Sequence, residues 1–125
     1  MKAKPRILIV EDEKPLCLLY REELEKEGYE VTTVLDAASA LQALEKTPFD
    51  LVVTDIRLPG ANGLDFIKKV MEFRKDVPVI INSAYESYKQ DFASWAADDY
   101  VIKSGSLDEL KKKIRILLEK RHVAA

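Results

Sequence analysis

Ile7-Leu-Ile-Val-Glu-Asp-Glu13 sets four consecutive apolar residues directly against three carboxylates. A short, unbroken apolar run reads as a strand buried on both faces, which belongs to a parallel sheet covered by helices on either side. Four further runs resemble it: Val31 to Val34, Leu51 to Thr54, Val77 to Ile81 and Tyr100 to Ile102. Between them, apolar residues recur at helical spacing, as Leu16, Leu19, Tyr20 and Leu24, as Leu41 and Leu44, as Leu64, Ile67 and Val70, and as Leu107, Leu110, Ile114 and Leu117. Pro15 suits a first helical turn, and Gly28 fits just past the end of that helix. Ser106 can cap the last helix, whose dipole Asp108 and Glu109 complement. The segment between Tyr85 and Asp99 is expected to hold a fourth helix, with Tyr85, Tyr88, Phe92 and Trp95 loosely spaced along it. Strand and helix alternate throughout, so the expected fold is α/β: a (βα)5 chain, doubly wound around a parallel five-stranded sheet.

With 125 residues, 47% of them hydrophobic, the chain can bury the core of one domain, and no linker or repeat divides it. Residues 1–125 therefore read as a single domain. Twenty basic and 22 acidic residues leave a net charge of −2, which argues against direct nucleic-acid binding. No run approaches the ~20 apolar residues of a membrane span. Cys17, the single cysteine, cannot form an internal disulfide, and the stretch behind Lys2 and Lys4 is too short for a signal peptide. A cytoplasmic location is expected.

In a sheet of this kind, ligands bind beyond the carboxyl ends of the strands. There the sequence places Glu11, Asp12 and Glu13 after the first strand, Asp55 after the third, Asn82 and Ser83 at the end of the fourth, and Lys103 after the fifth. Carboxylates held close together repel unless a cation sits among them. Mg2+ fits, because it takes oxygen ligands and needs only a few carboxylates beside its waters. A carboxylate next to that ion can attack phosphorus and become an aspartyl phosphate. Lys103 would add a second positive charge, and Ser83 a hydroxyl for the phosphoryl oxygens.

In the order and spacing of these residues the chain resembles the response-regulator receiver domain of two-component signalling. The likeness rests on Glu11-Asp12 after Ile-Leu-Ile-Val, the run from Asp55 to Asp65, Ser83-Ala84, and Asp98-Asp99-Tyr100 followed by Lys103. It implies a flavodoxin-like sheet in the strand order 2-1-3-4-5. It further implies that Asp55 is the phosphoacceptor and that Asp12 and Glu11 hold the metal directly or through water. The backbone carbonyl of Arg57 would complete the protein ligands of Mg2+, with Mn2+ as a substitute. Ser83 and Tyr100 would form the switch, and Lys103 would contact the acceptor and its phosphate. The phosphoryl donor would be a histidine kinase or a histidine phosphotransfer protein. The output, to an attached domain or a downstream protein, would leave through the face of the fourth helix, fifth strand and fifth helix. Such a chain is no enzyme toward a separate substrate, catalysing only its own phosphorylation and slow dephosphorylation.

Two positions depart from the family pattern. Ser104 stands where a proline usually follows the lysine through a cis bond; without proline that bond costs about 2.5–4 kcal/mol, so a trans Lys103-Ser104 bond is expected. Ala96 stands where many relatives have Gly. Arg57 and Tyr85 are bulky and are expected to shield the phosphoryl group from water. Leu18 points away from the apolar stripe of its helix and, with Pro15 and Cys17, is a candidate docking surface for the phosphodonor. His122 and Trp95 receive no site role, and Pro59, Gly60 and Gly63 shape a loop.

Three other functions compete. A dehalogenase-type phosphatase needs a second Asp two residues after its nucleophile, where this chain has Arg57, which cannot donate a proton at ordinary pH. A flavin site needs Ser, Thr or Gly after the first strand, where acids stand instead. A phosphorylation-independent interaction module is the remaining alternative.

Overall fold

The computed structural model describes residues 4–58, 61–73, 76–84, 99–103 and 106–124. Five parallel strands, β1 Arg6–Val10, β2 Glu30–Val34, β3 Leu51–Thr54, β4 Val79–Ser83 and β5 Asp99–Ile102, form one sheet in the order β2-β1-β3-β4-β5. The order reverses between β1 and β3, which opens a crevice at the carboxyl ends of those two strands. This is the doubly wound arrangement expected of the alternating runs.

Side chains alternate across the sheet, so each strand feeds two cores. Ile7, Ile9, Val53, Ile80 and Val101 face helix α1 (Lys14–Lys26), through its Tyr20 and Leu24, and the C-terminal helix Asp108–Ala124, through Leu110, Ile114 and Leu118. Leu8, Val10, Val52 and Val79 face α2 (Ala37–Lys46), through Ala40 and Leu44, and α3 (Gly63–Phe73), through Phe66 and Val70. A smaller cluster of Ile56, Ile67, Ile81 and Tyr100 continues this second face toward β5. Each large aliphatic chain buried here contributes roughly 1.5–3 kcal/mol, which is why two-sided strands need almost unbroken apolar sequence.

Helix ends follow local chemistry. Pro15 lies in the first turn of α1, where a missing N–H costs nothing. At the other end Gly28 takes φ +94°, and the amides of Gly28 and Tyr29 close onto the carbonyls of Glu25 (3.0 Å) and Leu24 (3.3 Å). That double closure reverses the chain into β2, as a left-handed glycine permits. Asp36 caps α2, its carboxylate accepting from the Ser39 amide at 2.7 Å. The Ser106 hydroxyl accepts from the Asp108 amide at 3.2 Å before the C-terminal helix. That helix is tied to α1 by Lys111 Nζ on Glu23 (2.9 Å) and to β5 by Lys113 Nζ, which donates to the Tyr100 carbonyl at 3.0 Å.

Several sequence expectations shift in detail. On α1 the buried stripe is Cys17, Tyr20 and Leu24, with Leu16 only partly buried; Leu19 is 42% exposed and does not belong to it. Cys17 is therefore not a docking residue: its thiol is buried and lies 3.1 Å from the Glu11 carbonyl, to which it donates. On the C-terminal helix Leu118 is buried, and Leu117 packs at the margin. The fourth strand begins at Val79 rather than Val77, because Pro78 has no N–H to give a ladder, and it runs on through Asn82 and Ser83. The expected fourth helix, with Tyr85, Tyr88, Phe92, Trp95 and Ala96, lies outside the described residues, as do Pro59, Gly60 and the Lys103-Ser104 bond.

Candidate functional site

Three polar residues continue the sheet ladder by one rung past its apolar strands. The Glu11 amide donates to the Val34 carbonyl (3.0 Å), the Asp55 amide to Val10 (3.2 Å) and the Lys103 amide to Ser83 (2.7 Å). The backbone of each of these three residues is thus held by the neighbouring strand. The loop beyond Asp55 is also pinned, since Ile56 and Leu58 are both buried in the clusters of the α3 face, and Arg57–Leu58 pairs antiparallel with Ala61–Asn62.

The side chains meet at the mouth of the crevice. Lys103 Nζ lies 2.7 Å from Asp55 Oδ2 and also donates to Glu11 Oε1, so a lysine from β5 joins the ends of β3 and β1. Glu11 and Asp55 are 2% and 8% exposed. Burial pushes the Glu11 carboxyl up, against the pull of Lys103 and of the Glu13 amide, which donates to Glu11 Oε2 at 3.2 Å. Burial would push the Lys103 ammonium down, but its hydrogen bonds to Asp55 and Glu11 prevail and hold it above the ordinary lysine value. Asp55 Oδ1 accepts from the Arg57 amide at 3.2 Å, which orients the carboxylate. Asp12 is exposed at the rim, next to buried Glu11.

Among the described residues, no three acidic, histidine or cysteine side chains converge as a ready-made metal cage. Glu11 and Asp55 converge on Lys103 instead, and the Asp12 side chain is exposed. This donor set still suits Mg2+: two buried carboxylates and an exposed one beside them offer hard oxygens, and that ion needs only one or two carboxylates with waters completing its shell.

The switch candidates are buried. Ser83 ends β4, and Tyr100, 2% exposed, packs its ring against Ile56, Ile67 and Ile81 on the face shared with α3. The Arg57 side chain, two residues after Asp55, is exposed, whereas Tyr85 lies outside the described residues. The sequence reading missed one pair: Asn82 Nδ2 donates to the Tyr20 hydroxyl at 3.1 Å, both residues being buried. The signal available was an asparagine at the end of a buried strand, facing the helix that carries a tyrosine.

Comparison with known proteins gives the family and the fold. The model of the response regulator receiver domain matches residues 7–115, and the chain belongs to that family. Among curated relatives, transcriptional regulatory protein PrrA of Mycobacterium leprae is 33% identical over 125 residues, covering 98% of this chain and 54% of its own length. Response regulator ArlR of Staphylococcus aureus is 33% identical over 117 residues, covering 93% of this chain and 53% of its own. The chain thus spans about half the length of the curated relatives it matches. Among solved structures, response regulator TrrA of Thermotoga maritima in complex with Mg2+-BeF superposes with a TM-score of 0.85 at 42% identity, over 90% of this chain and 98% of that one. A CheY-like receiver domain of Methanospirillum hungatei gives a TM-score of 0.91 at 28% identity, over 98% of this chain and 100% of that one.

Proposed function

We propose that Asp55 is the phosphoacceptor of this receiver, taking a phosphoryl group from a histidine kinase or a histidine phosphotransfer protein. The observation that carries the reading is the Lys103 ammonium held between Asp55 and Glu11 at three strand ends, a preformed positive site beside a nucleophilic carboxylate. One oxygen of Asp55 attacks the phosphorus of a phosphohistidine. The phosphorus–nitrogen bond breaks, and its electron pair returns to the imidazole, whose other nitrogen carries the proton that makes it a neutral leaving group. The Arg57 amide keeps Asp55 oriented, and Lys103 stays with the phosphoryl oxygens as charge builds on them. Asp12, Asp55 and the Arg57 carbonyl, with Glu11 directly or through water, would hold Mg2+, or Mn2+ in its place, which neutralises charge on the transferred group.

Ser83 and Tyr100 are the proposed switch. Phosphorylation biases two arrangements of the β4 and β5 ends rather than building a new one, and the bias reaches a partner or an attached output domain through β5 and the helices flanking it. Exposed Leu18, with Pro15 and the exposed neighbour Leu19, is the proposed seat of the phosphodonor; TrrA, a relative 43% identical over 91% of this chain, was solved in complex with histidine kinase ThkA. Residues 1–125 are proposed as one receiver unit, located in the cytoplasm, without direct nucleic-acid contact and without enzymatic action on a separate substrate. Among the described residues no helix is long and apolar enough to cross a membrane.

Acetyl phosphate with Mg2+ tests the reading: intact-mass analysis should record one added phosphoryl group on the native chain and none on Asp55→Asn. Equal labelling of the two would place the acceptor elsewhere, and an unlabelled native chain would favour a phosphorylation-independent interaction module.

A further inference from the structure

In the strand order β1-β3-β4-β5, Lys103 follows β5, yet its ammonium meets Asp55 at the end of β3 and Glu11 at the end of β1. Neighbouring strands lie about 4.8 Å apart, so the side chain must lean across the end of β4 to reach them. The β4 residue on that face is Asn82. Alternation groups it with Ile80, and the register pairs it with Val101, both in the core beneath α1. Asn82 hydrogen-bonds the hydroxyl of Tyr20, which descends from α1, and both residues are buried. The Tyr20 phenol is raised chiefly by burial, and it also feels the charges of Lys103, Glu11 and Asp55, which places it within electrostatic reach of the site. One turn earlier on the same helix, the Cys17 thiol donates to the Glu11 carbonyl, so α1 touches the site's backbone as well. Buried amides and hydroxyls destabilise a core unless they are matched. Here the matched pair lies on the same sheet face as Lys103, which alternation groups with Val101 opposite Asn82.

We infer that Tyr20 and Asn82 are positioning residues for Lys103: their hydrogen bond fixes the floor over which the lysine runs and holds its ammonium toward Asp55 during phosphoryl transfer. The inference rests on the reading of Asp55 as acceptor, but it also concerns the unphosphorylated protein. Tyr20→Phe removes a single oxygen and keeps the ring, while Asn82→Leu removes the amide. In the double variant no polar group is left unmatched, so stability lost by either single change should largely return.

Two readouts decide. Phosphorylation by acetyl phosphate with Mg2+ should slow about tenfold in Tyr20→Phe, the scale of one lost hydrogen bond, and should stay slow in the double variant although its melting temperature recovers. The NMR signals of the Lys103 ε-methylene, read without any phosphodonor, should move in all three variants. A pair that only holds the fold would give rates that recover together with stability. Either that recovery or unmoved Lys103 signals overturns the inference. If Asn82→Leu does not fold, Tyr20→Phe compared with a Leu24→Ala variant, both read under conditions where each is folded, separates the same outcomes. Failure of the native chain to label at Asp55 would defeat the acceptor reading, and the Lys103 signals would still judge the pair.

Discussion

Replacing Lys103 by methionine keeps most of the apolar stem and deletes the charge that joins Glu11 to Asp55. Removing the positive partner of a buried ion pair leaves the carboxylates uncompensated, which costs about 3–5 kcal/mol where the pair is fully buried. The Lys103 side chain is 16% exposed, so water reaches this edge of the site and about 2 kcal/mol is the better figure. Urea denaturation at pH 7 should therefore show the midpoint falling by about 1 M, given a slope of 1–3 kcal/mol per M. The loss should be pH-dependent. Glu11 already has a raised carboxyl in the folded chain, and without the lysine it rises further. A group whose folded value exceeds its unfolded one stabilises most below the unfolded value and loses that contribution as pH climbs through the folded value. The deficit of Lys103→Met should accordingly shrink as pH is lowered toward about 4, the ordinary glutamate range. Mg2+ should restore more stability to the variant than to the native chain, since it replaces the missing cation. A variant as stable as the native chain at pH 7, or a deficit that does not change on acidification, would refute the reasoning.

Glu11→Gln removes the carboxylate that burial strains while leaving Lys103 paired with Asp55, so thermal melting should give a higher midpoint at pH 7 and little difference at pH 4, with Mg2+ affinity by calorimetry falling in exchange. Gly28→Ala places a Cβ where nothing lies within 4 Å but at φ +94°, so urea unfolding should record a loss of about 1 kcal/mol from backbone strain alone. Leu18→Asp alters a residue 60% exposed, so stability should change by less than about 0.5 kcal/mol. Stopped-flow transfer from a phosphorylated kinase should slow while labelling by acetyl phosphate does not, and equal slowing of both would remove α1 as the docking surface.

The strand pattern was legible because two-sided burial leaves almost no polar residue inside β1, β3 or β4 until the sheet ends. Glu11, Asp55 and Lys103 were legible for the same reason: a charge after a fully buried run stands out. The helix phases were harder. Leu16 to Tyr20 is apolar at every position, so the sequence offers several stripes, and the small Cys17 wins the inward place that Leu19 could equally have filled. Leu117 and Leu118 pose the same ambiguity at the far end. The Tyr20–Asn82 bond was hidden because a tyrosine counts as apolar in any periodicity and gives no sign of where its hydroxyl points. That Lys103 reaches Glu11 as well as Asp55 depends on side-chain direction across three strands, which spacing along the chain does not encode.

Mounting the charged trio on final rungs of the ladder separates two kinds of change. The backbone positions of the acid and the lysine are set by the neighbouring strands, so turns around the crevice can change without moving them, except where the Glu13 and Arg57 amides hold the Glu11 and Asp55 carboxylates. Conversely, anything that shears β5 against β4 by even one rung would carry the lysine off its carboxylates, so sliding of these two strands is the mechanical route by which a distant surface could silence the chemistry.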